Sequence, residues 1–550
     1  MNFRYLAIIL IAIIAFSACT QAPPPAAEVE TAAETGAAEA AADPAPPATT
    51  ETDDADHLDI DPRWAEPLTV SFASVQVRGG VDYNDCIMSH HFRDPFNITW
   101  DMVSLTWDNW AEMLRIWISA GDMPDMATWD YQHGEAVTFA RDGLVRRMPD
   151  NWKQRWPHTA AAVESSTLGP AIEEMMGGTY FLPKPIFAAN KPVDPLVGHQ
   201  MVTLRRDWLE AVGAEIKFTY TVSELIDIAR AFQEHDPDGL GSALVPMSFH
   251  RYSAARDIVG RQFAHFNTFY LGEDGTYQWG PANPAVLEGL RLYQTAVREG
   301  LTHPDFFLWR GDEDIQHFRT LGVAGMMLNS GMASIQQDVW ADLRSIGLDP
   351  HEVFHAAVVL GEDGMFHERE VINFWTTLIF SPDLPEADFE RIMYLVDYVA
   401  TEESQLTIRM GFEGVDWERD GQGGFNMLIP EDVIITDKYP SIHPLYGNMI
   451  ILSDDFHMIN PALLPELRAI TAEMYATKAR LSNEVTVPRT DWNVQFHDSN
   501  SMRMVGFNFN DVFTELIMQD GDLETNWREW IAAQAPLVNP VIEELNALIR

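Results

Sequence analysis

Residues 20–56 set the first limit on what this chain can fold into. They are built from Ala, Pro, Glu, Thr and Asp, with no aromatic residue and only Val29 as a large aliphatic. Such a stretch cannot bury enough apolar surface to offset the entropy of ordering it, so it reads as a disordered tether. Folding is therefore expected to begin near Leu58. The remainder, about five hundred residues, exceeds one small domain and is long enough for two lobes with sizeable cores.

The segment before the tether supplies its purpose. Arg4 precedes an unbroken apolar run from Leu6 to Phe16, and Ser17-Ala18-Cys19 follows. Eleven apolar residues behind one positive charge fit the central region of an export signal and are too few to span a bilayer as a helix. The small pair before the cysteine resembles a bacterial lipobox, with Phe16 where Leu is usual. The resemblance implies that residues 1–18 are a signal peptide. Cys19 is then diacylated and becomes the mature N-terminus, and residues 19–57 link the lipid to the folded body. No second apolar run approaches membrane-spanning length. With Cys19 committed to lipid, Cys86 is the one cysteine left, so neither a disulfide framework nor a cysteine-based zinc site is expected.

Charge narrows the partners. The chain has 82 acidic against 36 basic residues, a formal net charge of −46, and only six of the basic residues are lysine. A surface this negative repels nucleic acid and anionic lipid headgroups. Salt screens the self-repulsion, which suggests a saline habitat; a melting temperature that does not change with added neutral salt would exclude it.

The body alternates strand and helix signals, the pattern of an α/β protein. Leu68 to Ala73 is β-branched and alternating, as in a strand. Trp107, Trp110, Leu114, Trp117 and Ile118 recur at helical spacing up to Gly121, and such a stripe faces core first. Thr221-Val222-Ser223-Glu224 has capping-box spacing, with Val222, Leu225, Ala229 and Phe232 on one face of the helix that follows. Asn283-Pro284 predicts another helix start, Asn as N-cap and Pro in the first turn, carrying Leu287, Leu290 and Val297 towards Gly300. Phe513, Leu516 and Ile517, then Trp527, Trp530 and Ile531, predict two amphipathic helices near the end. There is no internal repeat.

Several segments carry a family resemblance. Ser119 to Met126 (SAGDMPDM) is similar to the "ASGDLPDI" segment of family 1 extracellular solute-binding proteins, and Leu204 to Gly213 (LRRDWLEAVG) resembles "RKDWLDKLG" of that family's long lipoprotein branch, which includes alginate-oligosaccharide receptors. Glu299 to Phe307, Gly322 to Met327, Gly411 to Trp417 and the closing helix near Trp527 continue the match in family order. The resemblance implies an α/β periplasmic-binding-protein fold: two lobes, a hinge, and a cleft that closes on solute. On that pattern residues 58–190 form lobe 1 and 191–370 lobe 2, while 371–445 return to lobe 1 and 446–550 finish lobe 2. The implied protein is an extracytoplasmic, lipid-anchored monomer that binds an oligosaccharide and hands it to ABC transporter permease subunits, with no catalysis and no contact with nucleic acid.

Sugar rings present apolar faces and a rim of hydroxyls, so a cleft for them needs flat aromatic platforms with acceptors and forked donors around them. Trp129 and Asp130, at the end of a short strand predicted from Asp125 to Thr128, are candidates because ligands in open α/β sheets sit at strand carboxyl ends. Trp309 with Arg310, Trp375 on a crossing strand (Val371 to Trp375), and Glu413, Asp416 and Trp417 complete the candidate set.

Asp236-Pro237-Asp238-Gly239-Leu240-Gly241 resembles a calcium loop of some relatives. Leu240, Leu244 and Met247 fall where oxygen ligands are needed, so a helix-ending turn is expected there and no cofactor. His90-His91 lacks a third ligand at metal-site spacing. Two alternatives stay open: an exported glycan-active enzyme using a carboxylate pair such as Glu413 and Asp416 or Glu362 and Asp363, and a carbohydrate-binding surface adhesin.

Overall fold

The structure, a computed structural model, describes residues 61–549 except 76, 107–108, 167–168, 187–190, 310–311, 332, 423, 431–432 and 451–459. The signal segment, Cys19, the tether, Trp107 and Arg310 lie outside the described residues.

Two mixed sheets, each wrapped by helices, organise the body. In chain order the strands are β1 (Leu68–Val75), β2 (Ile98–Leu105), β3 (Met126–Trp129), β4 (Leu182–Pro185), β5 (Met201–Arg205), β6 (Thr219–Thr221), β7 (Phe269–Leu271), β8 (Tyr277–Trp279), β9 (Met326–Ser330), β10 (Phe354–Leu360), β11 (Phe374–Phe380), β12 (Trp417–Arg419) and β13 (Phe425–Met427). The first sheet runs β2-β1-β3-β11-β4, with β1 parallel to β2 and β3, and β11 antiparallel to β3 and β4. The second runs β6-β10-β5-β9, with β10 parallel to β6 and antiparallel to β5, which is itself antiparallel to β9. The pairs β7-β8 and β12-β13 are separate antiparallel ribbons. Strand β11, which joins the first sheet after the whole second sheet has been built, makes the first lobe discontinuous in sequence.

Local signals set the helix starts. Thr221 accepts a hydrogen bond from the Glu224 amide and the Glu224 carboxylate accepts one from the Thr221 amide, so both ends of a capping box hold the helix Val222–His235. Asn283 caps Pro284–Arg298 through the Ala285 amide. Gly121 ends Trp110–Ala120 in the left-handed region at φ 71°, a conformation that spares glycine the clash of a Cβ. The buried faces, Leu114 and Ile118 in the first lobe and Leu225, Ala229, Phe232, Leu287 and Leu290 in the second, are those the periodicity marks.

Each sheet has apolar packing on both faces. Val70, Phe72 and Met126 point into one cluster of the first lobe, and Ala73, Ala127 and Trp129 into another. The closing helix Leu523–Leu548 packs Trp527 into the main core of the second lobe, where its indole N–H donates to Pro281 O at 3.1 Å. Among the described residues no helix is long and apolar enough to cross a membrane.

Candidate functional site

Five stretches of chain converge on one open cleft of about 1240 Å³. They are one face of the helix Trp110–Ala120 (Ala111, Arg115 and Ser119), residues 130–139 beyond the end of β3, residues 252–269 leading into β7, residues 367–374 leading into β11, and residues 489–510 towards the C-terminal helices. The first lobe thus supplies one wall and the second lobe the other. Along one edge the Phe496 ring meets the His133 imidazole at 4.8 Å.

The cleft's aromatic lining is Tyr131, Tyr252, Phe139, Phe266, Phe269, Phe374 and histidines; among the described residues no tryptophan lines it. Tyr252 is half exposed, while Tyr131 is held edge-on to Phe374 at 6.1 Å and its hydroxyl lies 2.9 Å from His133 Nδ1. His265 stacks on Tyr270 at 5.1 Å and 15°, and burial lowers its pKa to about 4, so at neutral pH it is an uncharged hydrogen-bonding group. Burial also lowers His133, with Asp498 opposing.

The charged lining is balanced: six arginines, six carboxylates and no lysine. Arg115 pairs with Glu135 at 2.5 Å, Arg503 with Asp498 at 2.6 Å, and Arg489 with Glu370 at 2.9 Å and Asp194 at 2.5 Å. Arg256 and Arg261 share Asp257, which is buried behind the wall; the Arg261 contact is 2.8 Å. Asp491 accepts from the Tyr277 hydroxyl at 3.0 Å and Glu368 from the Gly198 amide at 2.6 Å. Among the described residues three charged groups of the lining have no ion pair: Asp130, Asp491 and Arg369. Burial raises the pKa of Asp130, whose hydrogen bond from Gln132 Nε2 is long, at 3.4 Å.

Of the nominated residues that are described, Asp130 lines this cleft and the others do not; Arg310 lies outside the described residues. Trp129 is 1 % exposed, its ring packed between Tyr131, Phe139 and Phe181 at 5.2–5.8 Å. Successive side chains leave a strand on opposite faces, so β3 turns Trp129 into the core and releases the next residue to the cleft. Trp309 is buried against His317 and His303 in the second lobe. Trp375 packs on Trp110, and the Lys184 ammonium sits 4.0 Å from its ring centroid.

The Glu413 to Trp417 segment is a structural knot. Asp416, fully buried, accepts from the Phe412 amide and the Tyr439 hydroxyl, both at 2.7 Å, and pairs with Lys438. Trp417 is buried beside it, its N–H bonded to Gly411 O at 2.9 Å, while Glu413 pairs with Arg419 on the surface. In the nominated calcium loop both carboxylates serve the protein. Asp236 accepts from the amides of Leu240 and Gly241 at 2.8 Å, and Asp238 pairs with Arg205 at 3.0 Å. Among the described residues no cluster of three or more His, Cys, Asp or Glu side chains is arranged to hold a metal.

The sequence matches no family model and no curated protein. Solved structures match it over nearly all of its length. The Streptococcus pneumoniae ABC-transporter substrate-binding protein FusA, in complex with kestose, superposes with a TM-score of 0.64 at 15% identity, covering 87% of this chain and 98% of its own. The alginate-binding protein AlgQ2 without calcium ion gives 0.64 at 14% identity, covering 88% and 98%. The S. pneumoniae N-glycan transport solute-binding protein NgtS, in complex with Man5GlcNAc, gives 0.56 at 13% identity, covering 88% and 97%. The fold is that of the solute-binding proteins of ABC transporters. In a solute-binding fold of this kind the two sheets are the cores of the two lobes, and the space between residues 130–139 and 252–269 is the interlobe cleft.

Proposed function

We propose that this chain captures an oligosaccharide in the interlobe cleft and delivers it to an ABC importer, held near that importer by a lipid on Cys19. The observation that carries the reading is the cleft itself: about 1240 Å³ between two α/β lobes, walled by arginines, carboxylates, tyrosines and histidines, of which His265 is uncharged. Pockets for drug-sized molecules run to roughly 300–1000 Å³. A cleft above that range suits a ligand of several rings. Its alternating aromatic and hydrogen-bonding surfaces match the apolar faces and hydroxyl rims of sugars. The similar structures solved with kestose and Man5GlcNAc support the same class of ligand.

Capture on this reading needs no bond-breaking step. Solute bridges the two walls, lobe closure removes it from bulk water, and the closed form is what a permease would receive. A lipid at Cys19 with a flexible linker would keep the binding lobes at high effective concentration beside their partner.

Calorimetric titration with neutral and acidic oligosaccharides tests the function. A single site with a ligand-dependent rise in Tm and no product is the expected outcome. Accumulation of shortened saccharides would replace the receptor with an enzyme. For the anchor, incorporation of a fatty-acid probe in the producing cell should disappear in Cys19→Ala.

A further inference from the structure

Among the described residues Arg369 is the one arginine of the cleft lining without an ion pair. It belongs to an extended strut, residues 366–371, that is bonded along one side to residues 481–488: the amides of Glu368 and Glu370 donate to Thr486 O and Pro488 O at 2.9 and 3.1 Å. On the other side the Val371 amide donates to Leu196 O at 2.8 Å. The neighbours of Arg369 are spent on this framework. Glu368 receives the Gly198 amide and lies 3.7 Å from Arg261, and Glu370 receives the Thr490 amide at 3.0 Å and pairs with Arg489.

Arg369 itself is exposed to the cleft, and among the described residues it makes one hydrogen bond, to Asn267 Oδ1 at 3.2 Å, and no ion pair. A guanidinium carries five N–H donors in a flat fork, so most of its donors face open space. The surrounding walls desolvate it enough to lower its pKa, with Glu368 opposing. An arginine left without an anion stands out in a chain of net charge −46, where carboxylates to pair it are abundant. Neither Asp130 nor Asp491, the carboxylates of the lining without an ion pair among the described residues, is paired with it: Asp130 accepts from Gln132 and Asp491 from the Tyr277 hydroxyl.

We propose that Arg369 is a specificity residue for an anionic group on the bound saccharide, so that the solute is an acidic oligosaccharide, bearing a carboxylate or a sulfate, whose charge seats in the Arg369 fork. This rests on the oligosaccharide reading above and narrows it. Asn267 fixes the guanidinium plane, and the neutral His265 nearby in the lining gives hydrogen bonding without adding a competing charge. A carboxylate matches the fork by two parallel hydrogen bonds, whereas a sulfate would use the same donors with less planar geometry.

The test titrates the full chain and its Arg369→Gln and Arg369→Lys variants with five probes: tetragalacturonate, a mannuronate tetramer, a sulfated galactose tetramer, maltotetraose and kestose. The expected result is preference of the wild type for an acidic probe. Arg369→Gln should lose at least about tenfold of that affinity, as for a charge-assisted hydrogen-bonding pair. Arg369→Lys should recover part of it, and the Tm without ligand should stay unchanged. Affinity for the acidic probe should fall as salt rises, and the Gln variant should lose most of that dependence. Uronate against sulfate binding identifies the anion.

A wild type that prefers maltotetraose or kestose, with affinity unaffected in Arg369→Gln, overturns the inference and leaves the oligosaccharide receptor standing. If Asp130→Asn and Arg369→Gln weaken a neutral saccharide equally, the arginine serves an interlobe ion pair, and the inference is likewise overturned. Binding of none of the five probes counts against the saccharide reading itself, and the inference falls with it.

Discussion

Two short segments rich in charge and aromatics, Gly411 to Trp417 and Phe366 to Val371, end in opposite states. In the first, every strong polar group is consumed by the fold: Asp416 holds an amide, a hydroxyl and an ammonium, and Trp417 holds a carbonyl. In the second, the carboxylates of Glu368 and Glu370 are consumed in the same way while Arg369 between them is left facing the cleft. Residue type does not separate the two cases. A charged side chain becomes available for binding when its neighbours satisfy the backbone and one another without it, and that is a property of the packing around it.

The comparison breaks if a residue assigned to packing turns out to bind. Trp129→Ala is the strongest attempt. The ring is fully enclosed by Tyr131, Phe139 and Phe181, so truncation should cost about 3–5 kcal/mol of stability, read as a drop in the denaturant midpoint. A variant that keeps its stability and loses only saccharide affinity would return Trp129 to the site. Asp416→Ala follows, at about 2–4 kcal/mol, because it orphans the Phe412 amide and the Tyr439 hydroxyl inside the protein. Lys438, about one-third exposed, can turn to water, which keeps the loss below that of an enclosed pair. Ligand affinity of the folded fraction should be unchanged.

How far the sequence reveals this molecule depends on the range of the interactions involved. The capping box at Thr221, the Asn283-Pro284 start and the Gly121 stop were legible because each depends on residues within one turn. The alternation of strand and helix, and the segment resemblances, indicated two α/β lobes for the same reason. The cleft was not legible, because its walls come from five stretches separated by up to several hundred positions and no short pattern records which of their side chains remain unpaired. At the end of β3 the sequence pointed to both Trp129 and Asp130, and the pleat buries the first and leaves the second in the cleft lining. A signal is present at His367-Glu368-Arg369-Glu370, four ionisable residues just before a buried strand, whereas the nominated tryptophans are absorbed by packing.

The smallest effect is expected within the cleft, at Asp130, one of its charges without an ion pair among the described residues. Asp130 has its pKa raised from 3.8 by desolvation. Its folded value lies above its unfolded one, so folding is penalised wherever the unfolded state has given up the proton and the folded state holds its carboxylate in poor solvent. That penalty is fully present above the folded pKa and vanishes once the pH is well below 3.8, where both states are protonated. Asp130→Asn should therefore raise Tm slightly at neutral pH, and the gain should shrink to nothing as the solution is acidified. Partial exposure of the group limits the size of the gain. A loss of stability at neutral pH would mean that Asp130 is ionised and paired in the folded protein, and the natural partner would be Arg369. The arginine would then be spent, as the groups around Asp416 are, and the two segments would differ only in how far apart their pairs lie in sequence.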